Sequence, residues 1–548
     1  PSMPMRHAAA ASDPRSSRPR DLAPCGVGTG SPANRVALAL SFTVVVLFAG
    51  VLRFSSLDFG RDVPLARPDE PGVVEGLHAL HDGTAFPSLV LYGGGYFYPL
   101  YSFLTIVSQV EGSDLLAVPR PTPFGTIVLI RGWSALLSLA SVVLVFVCGA
   151  RLGGGACGIL AAILIASAPL AVRESHFAKA DAAAAFGVAV FLLSVALGAR
   201  ARVARALLVG AATALALNSK VIVGVIPAAL LALARPQGSR EEGTDWKQIV
   251  FGVGALVVVT IALNAFWMSA PALNWSFARA TTRALSTTDW LAGSDVVGGP
   301  LLYHAMVSLR HGCGSFMALL AVPALVYGWR SGGAARVVAV FAAAEWLKLL
   351  ASPMVLARFF LPIVPALAIL AALAVTALVN RWGPASDVYR ACIIVLLGLI
   401  MSVEPLRNSL NIVAALGRTD TRSFAAQWID HELPRDAVIM TWGTPKESVV
   451  EWGVPPLGKR HVARAAEPGT WRFIHATHVL VHSYPLPHSS VPAPPELARA
   501  RRVAVFDPVD GPTENPVLEP LDAFYLPLAR GSGFARPGPR IEIYELGK

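Results

Sequence analysis

The chain has 548 residues, 54% of them hydrophobic and only 15% charged, with a mean hydropathy of +0.56. Soluble domains average about 25% charged residues, so fully soluble, fibrous, disordered and disulfide-scaffold classes are excluded, and a polytopic α-helical membrane protein is expected. The net charge of +10 does not point to nucleic acid: the cations are mostly Arg in short loops between apolar runs, the pattern of the positive-inside rule.

Residues 1–35, rich in Pro, Ser, Ala and Arg, read as a disordered cytoplasmic tail. Val36–Leu52 has the length and flanks of a signal-anchor span. In the stretch 53–125, eight Asp or Glu stand against three Arg between Asp58 and Arg120, which predicts an outer loop with juxtamembrane helices. Ten further spans are predicted at about 126–150, 158–172, 182–198, 206–217, 221–234, 249–268, 314–329, 337–350, 359–379 and 391–403, eleven in all. The segment 206–234 reads as one helix or as two broken at Asn218-Ser219-Lys220. Two spans place Arg151, Arg200, Arg202, Arg205, Arg235, Arg240, Lys247, Arg330, Arg336, Arg381 and Arg390 on the cytoplasmic side. That choice puts the N-terminus inside and the C-terminus outside.

Residues 36–405 thus form the membrane domain, and 406–548 are predicted as a small extracytoplasmic α/β domain. Thr421–Leu433 has the pattern of an amphipathic helix, and Ala437–Thr441, His478–His482, Arg502–Phe506 and Arg540–Leu546 read as strands. None of the five cysteines falls after Cys392, and no C-x-x-C spacing exists. There is no G-x-x-x-x-G-K-[ST], G-x-G-x-x-G after a strand, or H-E-x-x-H, so ATP-driven transport and intracellular nucleotide chemistry lack support. Gly93-Gly94-Gly95 reads as flexible backbone.

Three features could carry chemistry. Asp69-Glu70 opens a helix whose Val73, Leu77 and Leu80 share one face, predicted to lie on the membrane surface. A carboxylate there can take a proton from an acceptor hydroxyl, or it can simply cap the helix. His78, His81 and Asp82 read as a solvated face in preference to metal ligands. Arg173-Glu174-Ser175-His176-Phe177-Ala178-Lys179-Ala180-Asp181 is a dense polar cluster between two apolar helices, either functional or locally ion-paired. Arg173, Lys179, Lys220 and Arg358 fall at outer helix ends, with Lys348 near the same face. Such cations suit a lipid-borne phosphate, or pairing with Asp69, Glu174 and Asp181. Trp275, Trp290 and Tyr303 read as an interfacial aromatic belt in preference to sugar-stacking rings.

Taken in order, the acidic pair after the first span, Phe86-Pro87, Tyr96-Phe97-Tyr98-Pro99-Leu100, His176-Phe177-Ala178-Lys179-Ala180-Asp181, Asn218-Ser219-Lys220 and Arg358-Phe359-Phe360-Leu361-Pro362 resemble the GT-C glycosyltransferases. More narrowly they resemble bacterial members of glycosyltransferase family 39, which includes protein O-mannosyltransferases, and the related aminoarabinose transferases of lipid A. The resemblance covers roughly residues 36–405. It implies an inner-membrane enzyme that takes a sugar from a polyprenyl-phosphate donor within the lipid bilayer to an acceptor hydroxyl on the outer face. Asp69 and Glu70 would be the catalytic acidic pair. Lys220 and Arg358, then Lys179 and Arg173, would bind the donor phosphate, and Glu174, His176 and Asp181 would form a second acidic, substrate-facing loop. No cofactor is expected, apart from a divalent cation that Asp69, Glu174 and Asp181 could hold in a metal-dependent oligosaccharide transferase of the same fold. A non-catalytic lipid-binding or transport protein is the reading from another class, prompted by the interruption at Asn218-Ser219-Lys220.

Overall fold

The computed structural model describes residues 32–63, 67, 69–84, 92–117, 124–197, 202–234, 246–268, 271–272, 275–276, 278–279, 298–352, 355–443, 453–458, 461–464, 475–484, 491, 493–513, 515–519 and 525–547. The tail 1–31, Phe86-Pro87 and Trp290 lie outside the described residues.

A helix stands at each of the eleven spans expected from the sequence. Helices α1 (Pro32–Phe54), α2 (Glu70–His81), α3 (Gly94–Glu111) and α4 (Phe124–Gly153) come first. Then follow α5 (Gly155–Ser167), α6 (Pro169–Ser175), α7 (Asp181–Leu197), α8 (Arg202–Ser219), α9 (Val225–Ala234) and α10 (Trp246–Leu263). The second half contains α11 (Ser315–Ser331), α12 (Gly333–Leu350), α13 (Val364–Trp382) and α14 (Asp387–Leu416). Among the described residues five helices are long and apolar enough to cross a membrane, and two bent pairs bring the number to seven. Helices α7 and α9 are shorter apolar helices.

The bends have local causes. Ala168 is extended (φ −64°, ψ 118°) before Pro169, as a residue preceding proline prefers, so α5 and α6 meet at 61°. Segment 206–234 is two helices: α8 stops at Ser219 and α9 starts at Val225. The chain between them is held by the buried carboxylate of Glu345, which accepts from Gly224 N–H at 2.8 Å and from Lys348 Nζ at 2.8 Å. A side chain at Gly224 would meet Glu345 N at 2.7 Å. Helix α14 differs from expectation at its end. It runs through Pro405 to Leu416, so the boundary placed at 405/406 falls inside a continuous helix.

Helix α2 ends on the solvated face expected at His81 and Asp82, which are exposed, but most of its length is covered. Val73 and Leu77 are fully buried and pack with Tyr96, Phe97 and Leu100 of α3. His78 is buried as well, with Nδ1 3.1 Å from the Leu116 carbonyl. The triple glycine is not a flexible element either. A Cβ at Gly94 would lie 1.5 Å from the Leu263 carbonyl oxygen, and one at Gly95 2.6 Å from that of Asn218. The glycines let the start of α3 lie directly on the ends of α8 and α10, a close approach that any side chain would block.

The C-terminal part has helix α15 (Thr421–Glu432) and five strands: β1 (Ile439–Trp442), β2 (His461–Arg464), β3 (His478–Ser483), β4 (Arg501–Phe506) and β5 (Arg540–Glu545). They form one sheet in the order β2-β1-β3-β5-β4. Strands β1, β2 and β3 run parallel, and β5 is antiparallel to β3 and β4. The expected helix and four strands are present within a residue or two, and β2 is additional. The α15 face packs on the sheet through Ala425 and Ile429 against Ile439, Leu480 and Ile543. Asp420 caps α15 by accepting from Arg422 N–H at 2.8 Å.

On β3, His482 is 1% exposed, and a Cβ at Gly453 would lie 2.4 Å from its Nδ1. Burial lowers its pKa to about 4, with the Arg422 charge adding to the effect. The unfolded imidazole titrates near 6.5. A depressed pKa favours the neutral folded form, so the contribution of this site is whole above pH 6.5 and is lost as pH falls toward 4. Amide protection factors along β3 in the full chain, corrected for the intrinsic pH dependence of exchange, are therefore expected to fall between pH 6.5 and 4. His482→Gln, which does not titrate, is expected to lose that pH dependence.

Candidate active site

Five of the singled-out residues converge. Asp69, in helical backbone geometry (φ −85°, ψ −14°), makes no side-chain cap to α2. Its Oδ2 instead lies 2.7 Å from Lys179 Nζ and 3.2 Å from Arg358 Nη1. Lys179 Nζ is 3.8 Å from Asp181 Oδ2, and Asp181 Oδ1 accepts from Lys220 Nζ. The result is a ladder, Arg358–Asp69–Lys179–Asp181–Lys220, in which three cations alternate with two carboxylates. Lys179 and Asp181 are buried at its centre, while Arg358, Lys220 and the 30%-exposed Asp69 carboxylate reach its open side. Phe359 lies between the outer cations, its ring centroid 4.9 Å from Lys220 Nζ and 5.9 Å from Arg358 Cζ. The aromatic face adds attraction for both.

The five members come from four regions of the chain. Asp69 precedes α2, Lys179 lies in the turn between α6 and α7, and Asp181 opens α7. Lys220 follows the end of α8, and Arg358 lies in a 3-10 turn, Ala357–Ile363, ahead of α13. Lys220 is placed by a tight contact: Asn218 donates from Nδ2 to the Ala214 carbonyl (2.7 Å) and to Thr260 Oγ1 (3.2 Å), with the α3 glycines against its backbone.

The other singled-out residues stand elsewhere. Glu70 faces Arg131 of α4, which donates from Nε (2.8 Å) and Nη2 (2.7 Å) to its two oxygens, and Ala178 N–H donates at 3.0 Å. This carboxylate is saturated and does not share the ladder with Asp69. Arg173 donates from Nε and Nη2 to Glu174 (2.9 and 2.7 Å) and pairs with Glu519 at 2.6 Å, all fully buried. The ring nitrogens of His176 lie 2.7 Å from the Val172 carbonyl and 3.0 Å from that of Ser55, tying α6 to the end of α1. Lys348 belongs to Glu345 and to the Val221 carbonyl (2.9 Å). Tyr303 is buried, not part of a belt.

Arg131, Arg53 and Glu519 were not singled out. Arg131 also donates to the Leu57 and Phe59 carbonyls, 2.8 Å each, and lies 3.7 Å from the Phe59 ring centroid. Arg53 donates from Nε to Ser138 Oγ and from its other nitrogens to the carbonyls of Ala49, Ile165 and Ala166. A charge inside an otherwise apolar span was the available signal for Arg131. Glu519, in a proline-rich stretch, gave none.

The metal trio does not assemble: Asp69 and Asp181 are held by lysines and Glu174 by Arg173. Among the described residues no three His, Cys, Asp or Glu group as a metal set.

No family model matches the sequence, and no curated protein matches it. Solved structures do. The oligosaccharyltransferase of Archaeoglobus fulgidus in its apo form superposes with a TM-score of 0.50 at 10% identity, covering 82% of this chain and 70% of that one. ArnT from Cupriavidus metallidurans gives 0.46 at 15% identity over 94% and 98% of the two chains. Its complex with undecaprenyl phosphate gives 0.45 at 14% identity over 94% and 99%. Both proteins are GT-C glycosyltransferases. The chain shares the fold of the archaeal oligosaccharyltransferase, as its sequence motifs implied, and among the described residues it has several helices long and apolar enough to cross a membrane.

The separation of Glu70 from Asp69 has a measurable consequence. Removing one partner of a buried pair leaves an uncompensated charge, at a cost of about 3–5 kcal/mol. Glu70→Ala is therefore expected to lower the thermal midpoint of the purified protein strongly. Asp69→Asn, at a partly exposed carboxylate, is expected to change it little. Equal midpoints for the two variants would refute this division of roles.

Proposed function

We propose that the protein is a glycosyltransferase that moves a sugar from a polyprenyl-phosphate donor to an acceptor hydroxyl at the outer face of the inner membrane. The observation that carries this reading is the ladder, which brings Lys220 and Arg358 together at its partly exposed side. A phosphodiester between lipid and sugar carries one negative charge, which these two cations attract. Lys220 and Arg358 are the cations that would receive it, and Lys179 anchors Asp69 and Asp181 behind them. Arg173 is withdrawn from the phosphate set by its two glutamates. Loop charges favour a cytoplasmic N-terminus and a C-terminal α/β part that covers the site from outside.

The reaction follows from these positions. The acceptor oxygen attacks the anomeric carbon as the bond from that carbon to the phosphate oxygen breaks. The acceptor proton goes to the Asp69 carboxylate, and the bond electrons go to the departing lipid phosphate. Its charge rises as it leaves, which is when Lys220 and Arg358 attract it most strongly. A lipid phosphate is a good leaving group, so no strong general acid is required. Glu70 acts only by position: with Arg131 it fixes the start of α2 and thereby Asp69. A metal-dependent oligosaccharide transfer fits less well, because Lys179 lies between Asp69 and Asp181 and Glu174 is spent on Arg173.

The test is a transfer assay on purified protein, offering labelled polyprenyl-phosphate sugars beside nucleotide sugars, with and without chelator. Consumption of a lipid-linked donor is expected, insensitive to chelator. Loss of the general base in Asp69→Asn is expected to reduce turnover by about 10²–10⁴-fold while undecaprenyl phosphate is still bound. Full activity in Asp69→Asn sinks the role of Asp69. Saturable lipid binding with no consumption of any donor favours the transport reading.

A further inference from the structure

Arg358 can meet Asp69 only if the turn that carries it is held in place, and the group holding it comes from far along the chain. On the lipid-phosphate reading of the ladder, we propose that Glu519 is a positioning residue for the anion site, fixing the Ala357–Arg358 turn so that the C-terminal segment sets where Arg358 points.

The Glu519 side chain is fully buried. Its Oε1 accepts from Ala357 N–H at 2.6 Å, and its Oε2 lies 2.6 Å from Arg173 Nη2. Leu356 is extended (φ −120°, ψ 134°), and the 3-10 turn begins at the next residue. The Glu519 contact therefore falls on the first N–H of the turn, one residue before the guanidinium that reaches Asp69. Arg173 gives Glu519 a fixed point to pull against, because it is itself locked to Glu174.

The segment bearing Glu519 is anchored in the helical part and does not hang above it. Val517 and Ala529 form an antiparallel bridge, with Leu528 N–H donating to the Val517 carbonyl at 2.8 Å. Leu528 is buried in the main helical core, and Leu526 packs with Phe59 and Phe177. Arg530 N–H donates to Asn408 Oδ1 at 3.1 Å. A displacement of the C-terminal part would be transmitted through Glu519 to Arg358, two peptide units from the carboxylate.

A plain electrostatic staple for Arg173 predicts a different response from a positioning contact. Glu519→Gln keeps the length and an oxygen for Ala357 N–H but loses the charge. Glu519→Asp keeps the charge but is too short to reach both partners. The measurement is binding of undecaprenyl phosphate to the full-length purified protein in nanodiscs. Positioning predicts near wild-type affinity for Glu519→Gln. For Glu519→Asp it predicts a loss of roughly tenfold, equivalent to about 1.4 kcal/mol. Combining Glu519→Asp with Arg358→Ala should add no further loss to Arg358→Ala alone, as expected for a residue that acts through Arg358. The reverse order, with Gln weakened and Asp intact, or additive losses in the double variant, overturns the proposal. Failure of the wild-type protein to bind undecaprenyl phosphate overturns the lipid-phosphate reading and this role with it. Binding by wild type with unchanged binding by every Glu519 variant overturns this role alone.

Discussion

Charge in a low-dielectric interior has to be paired or hydrogen-bonded, and the structure is organised around that constraint. An isolated ionised side chain away from water is costly unless paired and hydrogen-bonded. The chain meets that cost in several ways: Glu70 lies on Arg131, Glu174 and Glu519 share Arg173, and Arg53 is held by a hydroxyl and backbone carbonyls. The ladder from Arg358 to Lys220 differs in that it reaches a partly exposed side. Its side chains alternate in sign, with Arg358 and Lys220 toward that side. Such a row holds together without ligand and still presents cations to an anion.

The surrounding architecture keeps that row in register. Its five side chains come from four separate regions of sequence, so small errors in any of them would break it. The glycines at 93–95 press α3 against the end of α8, Glu345 holds the chain just after Lys220, and Glu519 holds the residue just before Arg358. Each of these contacts involves backbone N–H or carbonyl groups, which move less than side chains do. The site is thus positioned by main-chain contacts and tuned by side-chain charge.

Much of this was legible in the sequence, for identifiable reasons. Long apolar runs with few charges leave no alternative to helices, and the strands at 478–483 and 540–545 announce themselves by alternation and β-branched content. The break at Asn218-Ser219-Lys220 was visible because three polar residues interrupt an apolar run. Helix ends pointed to Lys179, Lys220 and Arg358 at one face, but equally to Arg173 and Lys348, which pair elsewhere. What the sequence could not carry was pairing. Asp69 and Glu70 are neighbours with the same chemistry, yet one faces the ladder and the other a buried arginine from α4. Only the direction of each side chain from the start of α2 decides that. Arg173 and Lys179 are likewise indistinguishable by spacing, and a glutamate 346 residues after Arg173 settles the matter. The triple glycine was misread because composition alone does not separate a glycine that moves from a glycine that permits contact.

The difference between Asp69 and Glu70 also bears on how a base can operate beside cations. The Glu70 carboxylate is engaged on both oxygens by Arg131 and the Ala178 N–H and takes no part in the ladder. Asp69 is also paired, but its contacts with Lys179 and Arg358 use Oδ2 and its carboxylate is partly exposed. On the proposed reaction Arg358 would be the partner shared between Asp69 and the lipid phosphate. As the leaving group gained charge, Arg358 would be drawn toward it and away from Asp69 while the acceptor proton is released. A single guanidinium between base and leaving group would thus couple the two halves of the displacement, and the precision with which its turn is held would become part of the chemistry.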